Sequence, residues 1–212
     1  MIKHSTFELV LTDVDVVSKL AHWRLLDVLP IIFSCKGADI ATLPSLIHRA
    51  KKACTKPDKI FRDIETALYA FKFLRLMGEL PVPDADAVSI LQRYPKIDAG
   101  EAILLAVAIK TEKALFATGD KNAIQSLYSV YQTGQFLNLK GRLICIEQIL
   151  QCCLQHHGLV AIQDKIKLAI DYDMAVKSIF GSRCDAPKES VESGLNSYIS
   201  SLRISSGDLL HQ

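Results

Sequence analysis

Three acidic residues in this 212-residue chain stand where a cation-assisted hydrolysis would need them. Asp13 follows the β-prone run LVLT (9–12), Asp120 follows LFATG (115–119), and Glu101 opens an alanine-rich segment that leads into that second run. Carboxylates that meet without a counter-charge drive each other's pKa upward, and a hard divalent cation is the economical neutraliser. Mg²⁺ and Mn²⁺ prefer oxygen ligands and usually keep several waters. Such a cation can activate water and stabilise the charge on a phosphodiester under attack. The same residue types have a plainer use. An aspartate after a strand caps the next helix or forms a turn, and a glutamate in a first helical turn favours the dipole.

Acids so far apart in the chain can meet only if the intervening elements return them to one edge. Short apolar runs at 7–12, 39–43, 114–118 and 136–139 read as strands. Helical periodicity is expected at 16–34, from Pro44, and at 58–77, 99–110 and 121–132, with a loop at 81–86. Strands alternating with helices predict parallel βαβ units, hence an α/β three-layer sandwich around a short parallel sheet. Residues 1–141 would form this domain. From 142 nothing reads as strand, and helices at 142–157, 159–180 and 188–203, broken at Gly158 and Gly181, would make a carboxy-terminal helical region packed on it. In an open parallel sheet ligands gather beyond the carboxyl ends of the strands, which is where Asp13 and Asp120 fall.

Bulk properties narrow the classes. A net charge of +2 does not make a polyanion binder on overall charge, so contact with nucleic acid needs a local patch. Six cysteines at irregular spacing suit buried thiols in a reducing cytosol better than a disulfide framework. The first residues lack a secretory pattern and no run reaches the roughly 18 apolar residues of a membrane span, so a cytoplasmic location without membrane contact is expected. Gly119-Asp120-Lys121 lacks the glycine spacing of a phosphate-binding loop, and no nucleophile elbow or dinucleotide fingerprint is present.

The segments LVLTDVDVVSKLAHWRLLDVLP (9–30), DAGEAILLAVAIKTEKALFATGDKNAI (98–124) and FLNLKGRLICIEQILQCCLQHHGL (136–159) resemble the PIN-domain family of metal-dependent nucleases, which includes toxins of toxin–antitoxin pairs. The resemblance spans about residues 7–160 and rests mainly on 98–124, where an acid opens a helix and a strand ends in Thr-x-Asp. It implies a Mg²⁺- or Mn²⁺-dependent ribonuclease with Asp13, Glu101 and Asp120 as metal ligands, and Asp15 and Thr118 in support. RNA as substrate, a homodimer and an antitoxin-like partner come with it. One position departs from the pattern: in PSLIHRA (44–50), Arg49 stands where the family usually has a glutamate. Arg49 would then pair with Asp13 or Glu101, or point at a phosphate, while Asp39 or Asp63 could replace the missing acid. The same departure favours a rival reading, a catalytically silent binding or assembly module.

Two further clusters have chemistry-bearing residues. Cys152, Cys153, His156 and His157 offer i,i+4 pairs to a soft metal, but buried cysteines beside surface histidines is the simpler arrangement. Lys51, Lys52, Lys56, Lys59 and Arg62 surround Pro57 as either a phosphate-backbone contact or a solvated face.

Overall fold

A computed structural model describes residues 7–212, Ala38 by its backbone alone. The first strand, β1 (Leu9–Thr12), is followed by α1 (Val14–His22), α2 (Leu29–Ile32) and β2 (Ile40–Ala41). Four helices, α3 (Pro44–Ala53), α4 (Ile64–Leu74), α5 (Ala85–Leu91) and α6 (Ala99–Lys110), then separate β2 from β3 (Ala114–Thr118). Next come α7 (Lys121–Tyr131), β4 (Leu143–Cys145), α8 (Ile146–His157), α9 (Leu159–Lys167), α10 (Met174–Phe180) and α11 (Lys188–Ser206). All pairings are parallel, in the order β2-β1-β3-β4.

Strand alternation explains the three layers. Val10, Ile40, Leu115, Ala117 and Ile144 point into one hydrophobic core, and Leu11, Ala41, Ala114, Phe116, Leu143 and Cys145 into another. Both faces are therefore covered, as a parallel sheet requires. The helices α1–α4 and α8–α10 cover the first face, and α5–α7 the second. The long α11 serves both, with Val191 and Leu195 in the first core and Ile199 and Leu202 in the second.

Five sequence expectations are corrected. The run 136–139 is a tight turn with Phe136 in the left-handed region, followed by a 3₁₀ turn over Leu137–Leu139. The fourth strand is instead Leu143–Cys145, where the sequence pattern predicts the start of a helix. Three residues are too few to show a period of two, and the helical pattern beyond them dominates. Residues 142–212 thus open with a strand of the sheet. The helix expected over 58–77 begins only at Ile64, because Asp58 folds its own loop and Asp63 caps the helix through Thr66 N. Arg24, at φ 54°, ends the helix expected to run to 34, and Asp173 restarts one at Met174 within the stretch expected as 159–180.

Arg142 ties β4 to the end of α6. It is 7% exposed, and its guanidinium donates to the carbonyls of Ala108, Thr111 and Glu112 at 2.9, 2.6 and 2.6 Å. Ala108 O is one of the carbonyls the end of α6 leaves unpaired, and Thr111 and Glu112 belong to the turn that follows it. Arg142→Ala is expected to destabilise the protein by roughly 2–4 kcal/mol, read as a lower urea midpoint with an unchanged slope. A loss below about 0.5 kcal/mol would mean water replaces the guanidinium without penalty.

Among the described residues no helix is long and apolar enough to cross a membrane.

Candidate metal centre at the sheet switch point

The chain leaves β1 toward β2 on one side and β3 toward β4 on the other, so the winding reverses between β1 and β3. The crevice at such a reversal, beyond the carboxyl ends of the strands, is where doubly wound sheets bind ligands. Here it is an open cleft of about 510 Å³ lined by Asp13, Asp15, Asp98, Glu101 and Asp120, together with Ser18, Ile60, Lys121, Asn122 and Tyr172.

Each acid is placed by local structure. Asp13 ends β1: its N–H continues the ladder to Ala117 O at 2.9 Å, and its Oδ1 accepts from Val14 N at 2.6 Å to cap α1. Asp120 caps α7 by accepting from Asn122 and Ala123 N. Thr118 links the two, donating to Asp13 Oδ2 at 3.3 Å while its Oγ1 accepts from Asp120 N at 3.1 Å. Asp98 and Glu101 form a reciprocal capping box at the start of α6, each carboxylate accepting the other's N–H. Gly100 brings that box close, since a Cβ there would lie 2.7 Å from Leu43 Cδ1. Gly119 has a parallel role, because a Cβ on it would overlap the Asp15 carboxylate.

The charges divide into two groups. Asp15 is paired with Lys19, whose Nζ lies 2.6 Å from both Asp15 Oδ2 and Asp173 Oδ2, though burial still holds the Asp15 carboxyl above its usual value. Burial lowers the Lys19 pKa, but the two carboxylates outweigh it and hold the ammonium above its usual value. Asp13, Asp98, Glu101 and Asp120 have no ion-pair partner among the described residues. Asp13 is 6% and Glu101 3% exposed. Burial, reinforced by Asp15 and Asp98, raises the Asp13 carboxyl to about 7. Glu101 rises to about 8, again chiefly through burial, with Asp13, Asp98 and Asp120 adding to it.

The donor chemistry fits a hard divalent cation: carboxylate oxygens only, two of them buried and without a balancing charge. The oxygens are not already gathered around one point, for among the described residues no three His, Cys, Asp or Glu side chains form a coordinating group.

Of the residues singled out in the sequence, Asp13, Asp15, Glu101 and Asp120 line one cleft and Thr118 lies beneath it. Arg49 does not. Its Nε donates to Asp58 Oδ2 at 2.6 Å in a separate depression, so it pairs with neither Asp13 nor Glu101. Asp39 and Asp63 do not replace the missing glutamate, being occupied at Lys36 N and Thr66 N. Sequence reasoning misses Asp98 as a site residue, although the D-x-x-E spacing of 98–101 signals the box that delivers it. It misses Lys121 as well, which lines the cleft and reaches Glu147 Oε1 at 2.8 Å, a carboxylate 1% exposed at the start of α8. Cys152 and Cys153 are buried, and His156 and His157 exposed.

Fold and cleft together define a doubly wound α/β protein with an acidic switch-point site. No family model matches the chain, and no curated protein or solved structure matches it either.

Proposed function

We propose that this chain is a PIN-like, divalent-cation-dependent phosphodiesterase acting on RNA. The observation that carries the reading is the pair of buried carboxyls, Asp13 and Glu101, left without a balancing charge at the switch point, with Asp98 and Asp120 beside them. Mg²⁺ or Mn²⁺, when bound, supplies the neutralising charge and the Lewis acidity that phosphodiester hydrolysis needs. Asp13, Glu101 and Asp120 would hold it. Thr118 fixes the Asp13 and Asp120 sides relative to each other, and Asp15, paired with Lys19, still adds negative charge beside Asp13. RNA as the substrate comes from the resemblance of 98–124 alone.

The rival, a binding or assembly module without catalysis, draws on a specific observation: Asp13 and Asp120 each cap a helix and Glu101 completes the capping box of another, which is use enough to keep them. Incubation of the purified protein with single-stranded RNA decides between them. Cleavage with Mn²⁺ that stops in EDTA is expected. Intact RNA with Mn²⁺, together with no heat of Mn²⁺ binding by calorimetry, would leave the module.

A further inference from the structure

An acidic cleft repels the phosphodiester it is meant to receive, so attraction must come from nearby. Residues 48–63 carry six basic side chains against two acidic ones, a local charge of +4 in a chain of net +2, which leaves the remaining residues at −2. This segment is the wall between two concavities. On one side lies a depression of about 450 Å³ lined by Arg49, Lys52, Lys56 and Asp58. On the other, Ile60 lines the acidic cleft.

The wall is built rather than loose. Asp58 Oδ1 accepts from Ile60 N and Phe61 N at 2.8 and 2.9 Å, its Oδ2 accepts from Arg49 Nε, and Phe61 is fully buried beneath. Ile60 O accepts from the Tyr172 hydroxyl at 3.0 Å, which fastens the wall to the turn between α9 and α10. Lys52, Lys56, Lys59 and Arg62 are all left exposed. At the cleft rim the Arg62 guanidinium sits 4.4 Å from the centre of the Tyr172 ring, and that ring stacks on His22 at 4.0 Å.

Exposed cations along one segment, with a guanidinium stacked on an aromatic ring at its end, are the parts that grip a single strand: charge follows its phosphates and flat groups stack on its bases. We infer that a single-stranded RNA runs across the 52–62 wall into the acidic cleft, with Lys52, Lys56 and Lys59 on its phosphates and the Arg62 guanidinium, backed by Tyr172, stacked on a base at the entrance. This rests on the phosphodiesterase reading and adds the path of the strand. It also gives the carboxy-terminal helices a part in the site, through Tyr172.

The test is anisotropy with a fluorescein-labelled RNA of about 12 nucleotides in EDTA, where nothing is cut, over roughly 50–200 mM salt. The triple variant Lys52→Ala, Lys56→Ala, Lys59→Ala should bind about tenfold or more weakly. Its log–log salt slope should fall by about 2, at ~0.7 for each phosphate no longer neutralised. Arg62→Gln should weaken binding about fivefold with a slope change below about 1. Wild-type affinity and slope in the triple variant would overturn the path, as would equal binding of a duplex of the same sequence. Cleavage in Mn²⁺ separates the two readings. Triple-variant cleavage equal to wild type at sub-saturating RNA overturns the path and leaves the hydrolysis standing. Patch-dependent binding without any Mn²⁺-dependent cleavage does the reverse.

Discussion

Asp13→Asn is expected to abolish Mn²⁺-dependent RNA cleavage and, in the same preparation, to melt higher than the parent at pH 8 in EDTA. The two effects share one cause. Asparagine is nearly isosteric, and its Oδ1 can still accept from Val14 N as the aspartate does, so the α1 cap survives. Thr118 Oγ1, which now donates to Asp13 Oδ2, can accept from the new amide instead. What is lost is a charge. Asp13 rises from 3.8 to about 7 through burial and its acidic neighbours, so at pH 8 the folded protein holds an ionised carboxylate where charge is disfavoured. At ~1.4 kcal/mol per pH unit this amounts to at most about 4 kcal/mol. Relaxation of Glu101, whose pKa is raised in part by Asp13, reduces the gain. A rise of roughly 4–8 °C in Tm is expected. Cleavage should fall by at least ~100-fold, the scale on which losing a group that places catalytic charge is felt. Opposite signs in activity and stability are what a functional site under electrostatic strain produces. An Asp13→Asn protein that cuts RNA as well as the parent, or melts lower than it, rules out this arrangement of charge and cation.

How much of this can be read from the chain depends on element length. β1 and β3 are legible because four or five β-prone residues run straight into Asp13 and into Gly119-Asp120. Pro44 marks the start of α3, and the sheet class follows from alternating elements. β4 is not legible: LIC is too short for a pattern, and its membership is decided by pairing with Phe116–Thr118 across the sheet. The Lys19 clamp joins residues 15, 19 and 173, and nothing in local sequence announces an ion pair across that span. Arg49 shows the converse failure. Its position is plain in the sequence but its direction is not, because a side chain's partner is chosen by a loop folded around Asp58 nine residues on. The acids line one cleft because strand ends and helix starts share a sheet edge by geometry alone, but among the described residues no three of them form a coordinating group. Asp98 comes with them because a capping box delivers its two carboxyls together.

The second large effect concerns pH and metal jointly. In EDTA the stability of the protein is expected to fall as pH rises from about 6.5 to about 8, the direction opposite to ordinary acid denaturation. Glu101 moves from 4.5 to about 8 and Asp13 from 3.8 to about 7. Over this window both are ionised in the unfolded chain, whereas the folded protein still holds protons on them. The folded state therefore binds more protons, and stability must drop until pH passes the folded values. Below about 6.5 other groups oppose this. His22 is held under the ordinary histidine value, chiefly by burial, so protonation favours the unfolded chain there. Asp173 is held low despite burial, because Lys19 faces it, so the stability it contributes is lost at acid pH. The upper window is thus the clean one. About 2–3 kcal/mol should be lost across it, roughly 5–10 °C in Tm. Saturating Mn²⁺ should remove the slope or invert it, since a cation binds the ionised carboxylates and adds stability as they lose their protons. Melts in EDTA and in Mn²⁺ at three pH values separate the cases. A curve in EDTA that is flat or rises from 6.5 to 8 would mean that Asp13 and Glu101 are ordinary ionised caps with no need of a counter-ion, and the case for a cation at the switch point would go with them.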